Sequence, residues 1–359
     1  MPKAVYIHIP FCKSICSYCD FCKFIYNKKW AYVYLKVLKN EIQDRYMDDK
    51  VKSIYIGGGT PSVLEQEELI KLLEITKIFN VTDKYEFTFE CNLEDISSEL
   101  LRILKLYGVN RLSIGIESFQ RNNLKFMNRT SDFKDAKAKI NLCREYGFNN
   151  INLDLMYAIP GETLKDVKKD LDLYLELNPE HISAYSLILE KNTKAYIENA
   201  QYIDEEEDYK MFRYIEKRLN NAHHYEISNY ALSGYESIHN LTYWNNEEYY
   251  GFGLSACGYI DKIRYENTKN LKEYLLGHYV TNKEIVGIKE QMDYEIMLGF
   301  RKLDGINVKR FYEKFNHKIE DVYDINHLLR IGDLIKEKDN IYINPDKIYV
   351  MNEILLKLL

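Results

Sequence analysis

Four cysteines, Cys12, Cys16, Cys19 and Cys22, fall within the eleven residues "CKSICSYCDFC" near the N-terminus. Thiolates are soft ligands, suited to iron-sulfur clusters or to zinc. Structural zinc commonly pairs two distant Cys-x2-Cys knuckles, and no second knuckle occurs downstream, which favours a cluster. With Cys22 as fourth ligand the site would resemble a closed ferredoxin-type centre. With Cys12, Cys16 and Cys19 alone, one iron stays open to a small molecule. Cys91, Cys143 and Cys257 stand apart and read as small buried hydrophobes.

The elements that must position these thiols are strands. "AVYIHI" runs directly into the cysteine loop, and "KSIYIG" closes on "GGGTPS". "YEFTFECN", "RLSIGIESF", "NINLDLMYAIPG" and "HISAYSLIL" give four more apolar runs, separated by helical patterns such as "QEELIKLLEITKIF" and "LKDVKKDLDLYLEL". Six βα units predict a parallel sheet with right-handed crossovers, its polar residues gathered at the strand C-termini, where (β/α) barrels build their sites. Six units rather than eight imply an α/β incomplete barrel over residues 1–200.

Residues 201–284, rich in Gly, Ser, Asn and Tyr, read as a loop-rich extension over the barrel mouth. Residues 285–359 read as a small α+β domain of helices and a hairpin turning at Asn344-Pro345-Asp346, a winged-helix-like pattern. Acidic and basic residues balance in that tail, and the whole chain carries a formal charge of -6, which argues against a nucleic-acid partner. No apolar run approaches the ~18 residues needed to span a bilayer, and "MPKAVYIHIP" lacks the apolar core of a signal peptide. The expectation is a cytoplasmic protein, not integral to a membrane, with reduced thiols.

The motifs in order, "YIHIPFCKSICSYCDF", "GGGTPS", "GVNRLSIGIESF", "INLDLMYAIPG", "HISAYSL", "YEISNYA" and "HNLTYW", resemble the radical S-adenosylmethionine (SAM) superfamily. More narrowly they resemble its oxygen-independent coproporphyrinogen III oxidase-like branch. The resemblance implies an incomplete (β/α)6 barrel in which Cys12, Cys16 and Cys19 hold a [4Fe-4S] cluster. Its open iron takes SAM, which one electron from a donor cleaves to a 5'-deoxyadenosyl radical.

The resemblance also implies cofactor contacts. Tyr6 and Tyr18 match family tyrosines near SAM, and Gly58, Gly59 and Thr60 match the turn that meets its methionine part. Missing side chains there would let backbone approach a ligand. Glu90 matches an acidic residue suited to the ammonium or ribose hydroxyls, and Arg129 an arginine suited to a carboxylate. Asp154 matches a ribose- or adenine-side contact; a carboxylate inside so apolar a strand is costly unless paired. Relatives carry glutamine where Glu117 stands and glycine where Ala158 stands. Glu117 accepts hydrogen bonds but cannot donate as an amide does, and Ala158 is expected to perturb only its turn.

Within the branch, two functions compete. The dehydrogenase, which oxidatively decarboxylates coproporphyrinogen III propionates, has a long segment before its first strand and a Cys-x-Cys where Phe21 stands here. The HemW-type heme chaperones have neither, and the chain is more similar to them. That likeness implies heme as ligand and heme-accepting proteins, membrane-associated ones among them, as partners. It singles out His239 in "HNLTYW" as heme ligand, the competing reading being a histidine that packs its loop. No residue is assigned to catalysis, and whether SAM is cleaved stays open.

Overall fold

The computed structural model describes residues 1–359. Its main sheet has twelve strands: β1 (Ala4–Ile9), β2 (Val51–Gly58), β3 (Val81–Asn92), β4 (Arg111–Glu117), β5 (Ile151–Tyr157), β6 (His181–Ser186), β7 (His223–Glu226), β8 (Asn229–Ala231), β9 (Tyr249–Phe252), β10 (Cys257–Ile260), β11 (Ile263–Asn267) and β12 (Val280–Ile285). The order is β12-β11-β10-β9-β1-β2-β3-β4-β5-β6-β8-β7. β1 to β6 are the six parallel strands expected, each in sequential order beside the next.

Helices between them carry local start signals. Asn27 caps the helix Lys28–Arg45 by accepting from Trp30 N, and Thr163 with Asp166 forms a capping box at Leu164–Glu176. Asp204 caps Glu205–Arg218, whose first turn holds the acidic run. Negative charge there complements the helix dipole.

The 201–284 segment differs from expectation. It is built into the sheet rather than laid over the mouth. β9 pairs in parallel with β1, Tyr6 opposite Gly251, and β10 to β12 continue antiparallel from it. At the far edge β8 pairs antiparallel with β6. "HNLTYW" is a helix, Ile238–Trp244, on the N-terminal half of β2. Short strands broken by glycine and asparagine give little period-two signal, so composition alone read as loop.

The tail also departs in detail. Its hairpin joins Leu334–Glu337 to Asn340–Ile343 and turns at Lys338-Asp339, with Lys338 at φ +54°. Asn344-Pro345-Asp346 instead opens a 3-10 helix, capped by the Asn344 side chain on Asp346 N. The tail shares one continuous apolar core with the sheet, running from Val5 to Leu358.

Candidate functional site

Side chains alternate across a strand, so pairing register decides which residues share a face. Glu90 lies opposite Ser113, Gly115 opposite Asp154, and Asp154 opposite Ser183. That face lines a cleft of two adjoining cavities. The first, about 370 Å³, is bounded by the cysteine loop, Gly58–Thr60, Asn92, Glu117 and Arg129. The second, about 460 Å³, continues past Tyr55, Arg111, Asn152 and Met156. Tyr18, Cys19, Phe21, Glu90, Ser113, Asp154 and Tyr185 border both.

The cysteine loop is anchored by backbone. Ser17 N donates to Met127 O at 3.2 Å, and Ser17 O accepts from Ala195 N at 2.8 Å. Two sulfurs face donors: Thr60 Oγ1 reaches Cys12 Sγ and Arg129 Nη1 reaches Cys16 Sγ, each at 3.6 Å. Such donors favour thiolates, the ligating form. Burial pushes the metal-free Cys12 thiol up to about 11, so a bound metal must displace its proton. No three Cys, His, Asp or Glu groups converge on one ion position. Cys12, Cys16 and Cys19 nevertheless line the same cavity, the three thiols that a cluster would take, one per iron. Cys22 points elsewhere, its thiol donating to Lys269 O at 3.8 Å.

At the glycine turn, Gly58 has φ +113°, and a Cβ there would fall 2.4 Å from the His8 ring. A Cβ on Gly59 would lie 2.7 Å from Phe11 O. Both glycines are therefore required to seat the turn against β1 and the loop, and both border the first cavity.

Glu90 accepts from Tyr55 OH at 2.7 Å and Gly58 N at 3.0 Å, while burial raises its carboxyl above the ordinary range. Burial, and then the charge of Glu117, raises Asp154 to about 7; Asn152 Nδ2 donates to it at 2.7 Å. Glu117 sits at φ +70°, where the β4–β5 register shifts. A bulge of this kind re-aims a side chain. Here it turns Glu117 into the cleft, to accept from Tyr185 OH at 2.6 Å and pair with Arg129 at 3.8 Å. Arg129 Nη2 donates to Gly115 O at 2.6 Å, and its Nε has no partner. A guanidinium at the border of the first cavity with a donor unpartnered fits the carboxylate of SAM.

The structure thus brings Cys12, Cys16, Cys19, Tyr18, Gly58, Gly59, Thr60, Glu90, Glu117, Arg129 and Asp154 to one cleft. Tyr6 and His239 it does not. Tyr6 shares a hydrogen bond with His8 Nδ1 at 3.0 Å and packs near Tyr55. His239 is buried, its Nδ1 bonded to Ser53 Oγ at 3.0 Å and its Nε2 to Tyr243 OH at 2.8 Å. Both ring nitrogens are engaged within the fold, which agrees with the packing role.

Tyr55, Asn92 and Tyr185 were missed because nothing in a lone tyrosine or asparagine signals a site. Period two within the recognised strands was the available clue for Tyr55 and Tyr185. Ala158 holds φ +59°, the left-handed region that costs an alanine about 1 kcal/mol. Ala158→Gly is expected to raise stability by about that amount, read from a higher urea midpoint at unchanged m-value.

Comparisons with known proteins agree with this geometry. The radical SAM superfamily model matches residues 6–174. The heme chaperone HemW of Lactococcus lactis is 37% identical over 100% of this chain and 97% of its own length. That of Bacillus subtilis is 39% identical over 89% of each chain, and that of Escherichia coli 31% over 85% and 84%. Among solved structures, coproporphyrinogen III oxidase (HemN) of Escherichia coli superposes with a TM-score of 0.87 over 99% of this chain and 89% of its own, at 20% identity. That likeness carries the fold, and the chaperone relatives carry the family. The chain belongs to the HemW heme chaperone family of the radical SAM superfamily.

Proposed function

We propose that this chain binds heme at the mouth of the cleft and passes it to acceptor proteins. The observation that carries the reading is an apolar lip. Phe21 and Ile188, 63% and 64% exposed, border the second cavity, and Leu187 and Met156 continue the apolar wall inward. Large exposed apolar groups gathered at a cleft mark a binding surface, and a porphyrin plane is a fitting occupant. Exposure of the lip also suits a ligand that must leave again.

Cys12, Cys16 and Cys19 would hold the [4Fe-4S] cluster. Tyr18, Gly58, Gly59, Thr60, Glu90, Glu117, Arg129 and Asp154 would hold SAM beside it. When bound, the two supply one-electron reductive chemistry, which requires a separate electron donor. The protein's own part is placement. Arg129 meets a carboxylate, Glu117 fixes Arg129, Glu90 and Asp154 present buried carboxyls, and Tyr18 with Phe21 limits water. No helix of the chain is long and apolar enough to cross a membrane. A cytoplasmic carrier that visits its acceptors, membrane-bound ones included, fits that and the reduced thiols.

Heme titration of the reconstituted chain should give a saturable Soret band, and added apomyoglobin should then take the heme. Absence of the band would reject the reading. So would formation of protoporphyrinogen IX from coproporphyrinogen III with reductant and SAM, which would establish the dehydrogenase instead.

A further inference from the structure

Arg111 opens β4 and lies in the wall of the second cavity, 2% exposed. A guanidinium offers five donors. Here the one hydrogen bond is Nη1 to Thr88 Oγ1, long at 3.4 Å, and Nε has no partner. No carboxylate stands at ion-pair distance, whereas Arg129, the other arginine of the cleft, has Glu117 at 3.8 Å and Gly115 O at 2.6 Å. A buried cation without a counter-charge is costly, and a ligand that brings the charge removes the cost.

Glu90, which feels the Arg111 charge, and Asp154 line the same cavity, but neither stands at ion-pair distance from the guanidinium. Glu90 is engaged by Tyr55 OH and Gly58 N, and Asp154 by Asn152. His181 and His239, which feel the Arg111 charge, are held neutral, chiefly by burial. Ser113, Asn152, Ser183 and Asn240, neutral hydrogen-bonding residues, line the same cavity as Arg111. The opposite end is apolar: Phe21, Leu187 and Ile188. An apolar mouth over a floor whose one cation has no ion-pair partner suits an amphipathic anion, its flat body at the lip and its carboxylate below.

We propose that Arg111 anchors a carboxylate of the ligand held in this cavity, a heme propionate in the carrier function. The proposal rests on the heme reading above and goes further, fixing which edge of the porphyrin enters first. Propionates point inward, and the opposite, apolar edge stays at the lip.

The test compares iron protoporphyrin IX with its dimethyl ester, which lacks both charges, by Soret titration of the full, cluster-loaded chain. The unaltered protein should prefer the free acid by roughly 10- to 100-fold, the scale of one charge-assisted contact. Arg111→Gln should bind acid and ester alike, near the ester affinity of the unaltered chain, and Arg111→Lys should restore part of the preference. Equal binding of acid and ester by the unaltered chain would overturn the anchor without needing any variant, and leave the carrier function standing. So would a preference that survives Arg111→Gln. Failure of the unaltered chain to bind either porphyrin would overturn the heme reading itself.

Discussion

Cys16→Ser, reconstituted anaerobically with iron and sulfide, is expected to lose most of the iron that the unaltered chain binds. A serine oxygen is a hard ligand and a poor substitute for thiolate toward iron-sulfur chemistry. The loss would not come from unfolding. The loop is held by backbone bonds of Ser17 to Met127 and Ala195 and by the Ser17 hydroxyl on Phe126 O at 2.5 Å, none of which uses the Cys16 sulfur. Far-ultraviolet circular dichroism should therefore be unchanged while iron content and visible absorbance fall. Cys22→Ser is the matched control. Its sulfur contacts Lys269 O on the other side of the loop, so iron content should stay at the unaltered level. Full iron in Cys16→Ser would sink the three-cysteine assignment, and an equal loss in Cys22→Ser would restore the four-thiol centre.

The second large effect is expected at Arg129. Its side chain is 9% exposed and that of Glu117 6%, so Arg129→Met leaves a buried carboxylate paired only through Tyr185. Removing one partner of a buried pair costs about 3 kcal/mol. Adding Glu117→Gln should recover at least half of that, because an amide carries no stranded charge. Denaturant titration of the two single variants and the double gives the coupling directly. SAM affinity, measured by calorimetry, should fall in both variants that lack Arg129, whatever their stability. A double variant no more stable than Arg129→Met would mean that Glu117 and Arg129 are not coupled.

The six parallel strands were legible because strands covered on both faces are written as unbroken apolar runs, "AVYIHI" and "INLDLMY" being clear cases. The metal loop was legible because sulfur spacing is a local property. Contacts made between strands were not. Tyr185 meets Glu117 only through the pairing of β4, β5 and β6, and the aim of Glu117 depends on a bulge that no composition encodes. His239 shows the converse. Its motif suggested a ligand, yet its environment is a folded interior that satisfies both ring nitrogens. β9 was hidden for another reason: "YYGF" is too short to show a period, and its role comes from a partner at the other end of the chain.

That last pairing has a consequence for synthesis. The strand that leads into the metal loop gains one neighbour, β2, early, but its other edge waits for residue 249 to pair with residue 4. At ribosomal speeds the interval is roughly 10–50 s. During it the edge of β1 is an open template for stray strands. The emerging chain carries its thiols on a half-built support for that time. Iron delivery is therefore best matched to release of the finished polypeptide, when the last parallel strand has locked the loop's root in place.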